Sequence, residues 1–120
     1  MAFHNVCHIE WEVSDLKKAQ QFYGSLFPDW KFENWGEDYL IWTPPGEPGG
    51  GLQLAKKVTP AKNPILYFNV EKIEPYLEKV TSLGGKIELG ISEIPQIGWY
   101  ANVLDPDGNR FAFFKALPKA

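Results

Sequence analysis

Residues Val6 to Val13 read Val-Cys-His-Ile-Glu-Trp-Glu-Val. In an extended strand His8, Glu10 and Glu12 project from one side, and Cys7, Ile9, Trp11 and Val13 from the other. An imidazole and two carboxylates at i, i+2 spacing can exchange protons near neutral pH, attract a cationic ligand or, joined by His4, grip an ion. The same alternation also describes the polar wall of a cleft or a solvent-facing edge strand. A carboxylate beside apolar neighbours has its pKa raised by desolvation, which is how a base is poised near neutrality. His4 and His8 are the only histidines, so no Ser-His-Asp arrangement is available. Cys7 is the single cysteine. It excludes an intrachain disulfide and a multi-cysteine zinc site, fits a reducing compartment, and reads as a buried inert thiol rather than a nucleophile.

The strand that carries this face is followed by a helix, with Ser14 as the expected cap. Leu16, Ala19, Phe22, Tyr23, Leu26 and Phe27 recur at helical spacing, and Pro28 ends the run. Extended runs are expected at Trp30 to Trp35, Tyr39 to Thr43 and Leu52 to Lys56, with Pro44 to Gly51 as a Pro/Gly-rich loop or lid between the last two. That stretch lacks the Lys-Ser/Thr of a phosphate loop and opens no helix. After a polar connector the pattern restarts. Ile65 to Val70 reads as a strand, and Ile73, Tyr76, Leu77, Val80 and Leu83 as a helix face with Pro75 in its first turn. Gly84-Gly85 closes that helix. Further strands are expected at Lys86 to Leu89, Trp99 to Leu104 and Arg110 to Lys115, with Asp105 to Asn109 as a turn.

The order β-α-β-β-β therefore occurs twice, as a module over 3–57 and a second over 64–117 of one domain spanning 1–120. A shift of 57 residues overlays Val13 on Val70, Leu16 on Ile73, Tyr23 on Val80 and Leu26 on Leu83, apolar on apolar at each. Each module has one sheet face covered by its helix and one left over. The fold expected is α+β, two βαβββ modules forming a cupped mixed sheet whose leftover faces enclose a shared cleft.

The run Val13-Ser14-Asp15-Leu16 leading to Phe22-Tyr23-Gly24-Ser25-Leu26-Phe27, and the turn Asp105-Pro106-Asp107-Gly108-Asn109 before the last strand, resemble the glyoxalase/bleomycin-resistance/dioxygenase (vicinal oxygen chelate) superfamily. The resemblance covers nearly the whole chain. It implies paired βαβββ modules around an active-site cleft, commonly as a homodimer. It also implies, in the metalloenzymes, a divalent ion held by His and Glu from the first and last strands of each module. Mapped onto this chain, those positions are His8, Gln53, Ile65 and Ala112. His8 matches; Gln53 offers a neutral oxygen in place of a carboxylate; Ile65 and Ala112 offer no lone pair. Catalytic metal sites generally use about three protein ligands, so neither a metal nor any other cofactor is expected.

If the face of His8 looks into the cleft, strand alternation adds Glu10, Gln53, Tyr67, Asn69 and Phe114, with Ile65 and Ala112 as an apolar patch. Such a mixture suits a small-molecule site. The reading favoured is metal-free binding of a small, aromatic or cationic molecule, with Trp42, Trp99 or Tyr100 as stacking candidates. The alternatives are a metal-free acid-base enzyme using His8 or Glu10 and, less favoured, a metal-dependent lyase or dioxygenase. Fifteen acidic against twelve basic residues, with no long basic run, argue against nucleic acid or an anionic membrane as partner. No leader or apolar span is read, and a cytoplasmic location is expected.

Overall fold

In the computed structural model, which describes residues 3–59 and 62–118, the strand-helix-strand-strand-strand order occurs twice. The elements are β1 (Val6–Val13), α1 (Leu16–Leu26), β2 (Lys31–Asn34), β3 (Tyr39–Thr43) and β4 (Gly49–Leu54), then β5 (Ile65–Asn69), α2 (Glu74–Ser82), β6 (Lys86–Ile94), β7 (Gly98–Leu104) and β8 (Arg110–Ala116). The chain divides into two compact units. One runs from Cys7 to Ile65; the other runs from Leu66 onward and includes the residues up to Val6.

In the first unit the strand order is β2-β3-β4-β1, with β1 parallel to β4 and the other pairs antiparallel. The apolar face of this sheet carries Ile9, Trp11 and Val13 of β1, Leu40 and Trp42 of β3, and Leu52 of β4. These pack with Leu16, Ala19 and Tyr23 of α1. Leu40 and Leu52 are almost fully enclosed, and burial of a side chain of this size contributes roughly 2 kcal/mol. Trp30 stacks on Trp42 at 4.4 Å between ring centres, and Trp11 lies 5.4 Å from the same ring. The helix is started by Asp15, not Ser14: Asp15 is extended and its carboxylate accepts from the Lys18 amide at 3.0 Å. The buried stripe of α1 is narrower than its apolar spacing predicts. Phe22 and Leu26 are 61% and 56% exposed, because residues 16, 19 and 23 already cover the sheet.

The Pro/Gly stretch is not all loop. Gly49, Gly50 and Gly51 begin β4 and pair with His8, Ile9 and Glu10. Glycine weakens a strand in isolation, but here the missing side chains are what the neighbours require. A Cβ on Gly50 would run into the Ile9 carbonyl and the Trp42 ring, and a Cβ on Gly51 into the Tyr39 hydroxyl and ring. Two aromatics from β3 thus cross β4 on its opposite faces, Trp42 on the apolar one and Tyr39 on the polar one.

In the second unit the order is β5-β8-β7-β6, with β5 parallel to β8. Its core is Val70, Ile73, Ala101, Val103 and Phe113, covered by Tyr76, Leu77 and Val80 of α2. Pro75 sits in the first turn of α2, where its missing N–H costs nothing. β6 runs five residues beyond Leu89, past Gly90, and its pairing with β7 is interrupted by register shifts. The turn before β8 is tied by Asp105, whose carboxylate accepts from the Asp107 and Asn109 amides and the Asn109 side chain at 2.8 to 2.9 Å. Those Asn109 bonds hold its pKa below the ordinary carboxylate value. The N-terminal residues belong here as well. The His4 amide donates to Asn69 O at 2.7 Å, the Asn69 amide donates to Asn5 O at 2.9 Å, and the His4 ring meets the Tyr76 hydroxyl at 2.6 Å. Among the described residues no helix is long and apolar enough to cross a membrane.

Candidate functional site

Strand register places His8, Glu10 and Glu12 on one face of the first unit, opposite Gly49, Gly51 and Gln53 of β4. Tyr39 of β3 is paired with Gln53 and shares that face. Gly49 and Gly51 leave the face bare between β3 and β1, and the Tyr39 side chain crosses it. Its hydroxyl donates to Glu10 Oε1 at 2.8 Å and lies 2.8 Å from His8 Nε2. The two rings are nearly parallel, 15° apart with centres at 6.4 Å. An imidazole, a phenol and a carboxylate are thereby joined in one chain of hydrogen bonds. Burial holds the His8 pKa below its ordinary value, so the ring is neutral at pH 7. On the opposite face of the same strand, burial pushes the Cys7 thiol up to about 11, which makes it a poor nucleophile.

The other predicted residues fall in different surroundings. Gln53 shares the face, but its side-chain amide donates to the Asp38 and Leu54 carbonyls at 3.1 and 3.3 Å. Glu12 is committed elsewhere too: its carboxylate accepts from the Thr59 amide and the Asn63 side chain at 3.2 Å each, while its own amide donates to Asn63 Oδ1 at 3.0 Å. His4 is held in the second unit by Tyr76. Tyr67, Asn69 and Phe114 lie in the second unit on one face, Tyr67 beside Ala112 and Asn69 beside Phe114. Tyr100 pairs with Phe114, and its ring is 6.3 Å from that of Tyr67. Of the three stacking candidates, Trp42 is withdrawn: it is 5% exposed in the core, on the face away from His8. Trp99 packs against the second core, with the Lys115 ammonium 5.2 Å from its ring centre.

Tyr39 is the residue that sequence reasoning passed over. The signal was present as two glycines on one face of a strand, a gap that an aromatic from the neighbouring strand can fill.

These features define an α+β protein of paired βαβββ units with a polar, histidine-bearing face in the first. The chain belongs to the Glyoxalase/Bleomycin resistance protein/Dioxygenase superfamily, whose model matches residues 6–113. No curated protein matches it in sequence. Among solved structures it is similar to methylmalonyl-CoA epimerase from Mycobacterium tuberculosis, with a TM-score of 0.73 and 12% identity over 97% of this chain and 90% of that one. A superfamily member from Vibrio splendidus 12B01 gives 0.67 and 18%, covering 92% and 97% of the two chains. The Mn(II)-bound glyoxalase from Novosphingobium aromaticivorans gives 0.71 and 13%, covering 98% of this chain and 42% of that one. At these identities the likeness is one of fold.

The metal that the family implies does not fit the donors in this chain. His8 Nε2 is engaged by the Tyr39 hydroxyl, the Gln53 amide is turned to backbone carbonyls, and Ile65 and Ala112 have no donor atom and are buried. Among the described residues no group of three or more His, Cys, Asp or Glu side chains is placed to hold an ion.

Proposed function

We propose that the protein binds a small molecule without a metal ion, on the polar face of its first module, and that Glu10, Tyr39 and His8 form the anchoring end of the site. The observation that carries this reading is the Tyr39 hydroxyl joined to both Glu10 and His8 at 2.8 Å. A polar network built across a strand cleared of side chains is specific in a way that a solvent-facing edge is not. Its charged member is an acceptor, so it favours a ligand bearing an ammonium, amidine or hydroxyl group. Gln53 is proposed as a further contact on that face, and Tyr67, Asn69 and Phe114 as contacts on the corresponding strand face of the second unit. A homodimer in the cytoplasm completes the proposal.

The test is a thermal-shift panel of small planar cations, neutral alcohols and carboxylates. Cations are expected to raise the melting temperature and carboxylates to leave it unchanged. Glu10→Gln abolishes the rise; a rise that persists in that variant refutes the anchoring. Light scattering on the purified protein tests the dimer.

A second reading has one observation in its favour. A neutral, desolvated histidine hydrogen-bonded to a phenol is suited to general acid-base chemistry. Turnover of any panel compound that disappears in His8→Ala while the fold survives would establish it.

A further inference from the structure

α1 turns Leu16, Ala19 and Tyr23 to its sheet and leaves a second stripe bare. Lys18, Gln21, Phe22, Ser25 and Leu26 line one open groove along the helix. Phe22 and Leu26 are its exposed apolar residues, and Phe27 follows them at 39% exposure. Single exposed apolar side chains are ordinary, but a contiguous group with a polar rim marks a surface that associates. This stripe is also complementary to itself. Lys18, Phe22 and Ser25 succeed one another at spacings of four and three, the spacings of a helix-pairing seam, and Asp29, exposed in the turn after the helix, lies four further on. Let a second α1 run antiparallel to the first, with the two-fold axis passing between residues 23 and 24. Phe22 then meets Ser25 of the second copy, Gln21 meets Leu26, and Lys18 meets Asp29. A large ring faces a small side chain and an ammonium faces a carboxylate, and the two-fold repeats each contact. The helix dipoles oppose one another as well. A parallel pairing sets Lys18 against Lys18 and has none of these matches.

We propose that α1 is the contact surface of the homodimer: two copies pack antiparallel along this groove, Phe22 of each over Ser25 of the other, with Lys18 of each paired to Asp29 of the other. The surface rests on the homodimer proposed above and is independent of the small-molecule site. The seam is one helix of 11 residues, so association in roughly the micromolar range is expected.

Sedimentation velocity from about 1 to 300 μM reads the assembly. The wild type is expected to pass from monomer to dimer across that range. Phe22→Lys, at an exposed position, raises the dissociation constant about thirtyfold or more, as loss of a central aromatic anchor does. Lys18→Glu and Asp29→Lys each set like charges at both polar contacts and weaken the dimer roughly three- to tenfold. Mixed in equal amounts, these two variants recover the wild-type affinity within about twofold, because the mixed pair has opposite charges at both contacts. A surface that binds some other partner, or a dimer built on another face, gives no such recovery. Monomer at every concentration refutes both the surface and the homodimer. A dimer that persists in Phe22→Lys, or no recovery on mixing, refutes the surface and leaves the homodimer standing.

Discussion

Gly51→Ala places a methyl group where the Tyr39 hydroxyl and ring lie. β4 is paired on both sides, with β1 and β3, so the backbone cannot retreat and the ring must swing away. Tyr39 then loses its bonds to Glu10 and His8. A hydrogen bond to a charged group contributes about 1.5–3 kcal/mol and a neutral one about 0.5–1.5 kcal/mol. Alanine returns about 0.5–1 kcal/mol relative to glycine within a strand. The net expectation is a loss of about 2 kcal/mol, towards the lower end because Tyr39 is only half-buried. With an urea slope of about 1–3 kcal/mol per molar, the midpoint of unfolding, followed by tryptophan fluorescence, falls by roughly 1 M. In a Tyr39→Ala background the methyl group no longer meets a ring, and the same substitution becomes stabilising by about 0.5–1 kcal/mol. Gly50→Ala is the control, since its methyl would strike the Ile9 carbonyl as well as Trp42, and removing Tyr39 brings no relief. A Gly51→Ala cost that is the same with and without Tyr39 refutes the crossing geometry.

Other predictions concern titration, reactivity and capping. Because burial lowers the His8 pKa from 6.5, the unfolded chain takes up this proton first as pH falls. The contribution is complete above pH 6.5 and is lost as pH drops from there through the folded value; urea midpoints measured from about pH 8 to 5 should fall less steeply in His8→Gln, and an unchanged slope refutes the assignment. With its thiol pushed up to about 11, Cys7 should react with an aromatic disulfide reagent at about pH 8 roughly a hundredfold more slowly in the native protein than in the unfolded chain; equal rates contradict this. Asp15→Ala should cost about 1 kcal/mol by removing the cap on the Lys18 amide, whereas Ser14→Ala should leave the urea midpoint nearly unchanged.

The alternation of Val6 to Val13 and the 57-residue repeat made the element order legible, because both reflect burial along a single element. What depended on two elements was less legible. β4 begins at Gly49 although glycines argue against a strand, since its glycines answer to Tyr39 and Trp42 on β3. Phe22 and Leu26 fit the helical period of α1 yet lie outside, because the sheet has room for a narrower stripe. The polar face was read as far as His8 and Glu10. Tyr39 was missed because its reach to them is set by strand order and register, which no local pattern encodes. Gln53 was placed on the right face, but the direction of its amide is decided by carbonyls of β4 and the β2–β3 turn.

The residues up to Val6 complete the second unit, not the first. A gene cut at the repeat boundary would therefore give products that are each wrong. The leading half would carry His4 and Asn5 with nothing to hold, and the trailing half would present the Asn69 backbone and the Tyr76 hydroxyl without their partners. During synthesis, His4 and Asn5 emerge well before Asn69 and Tyr76, the groups that hold them.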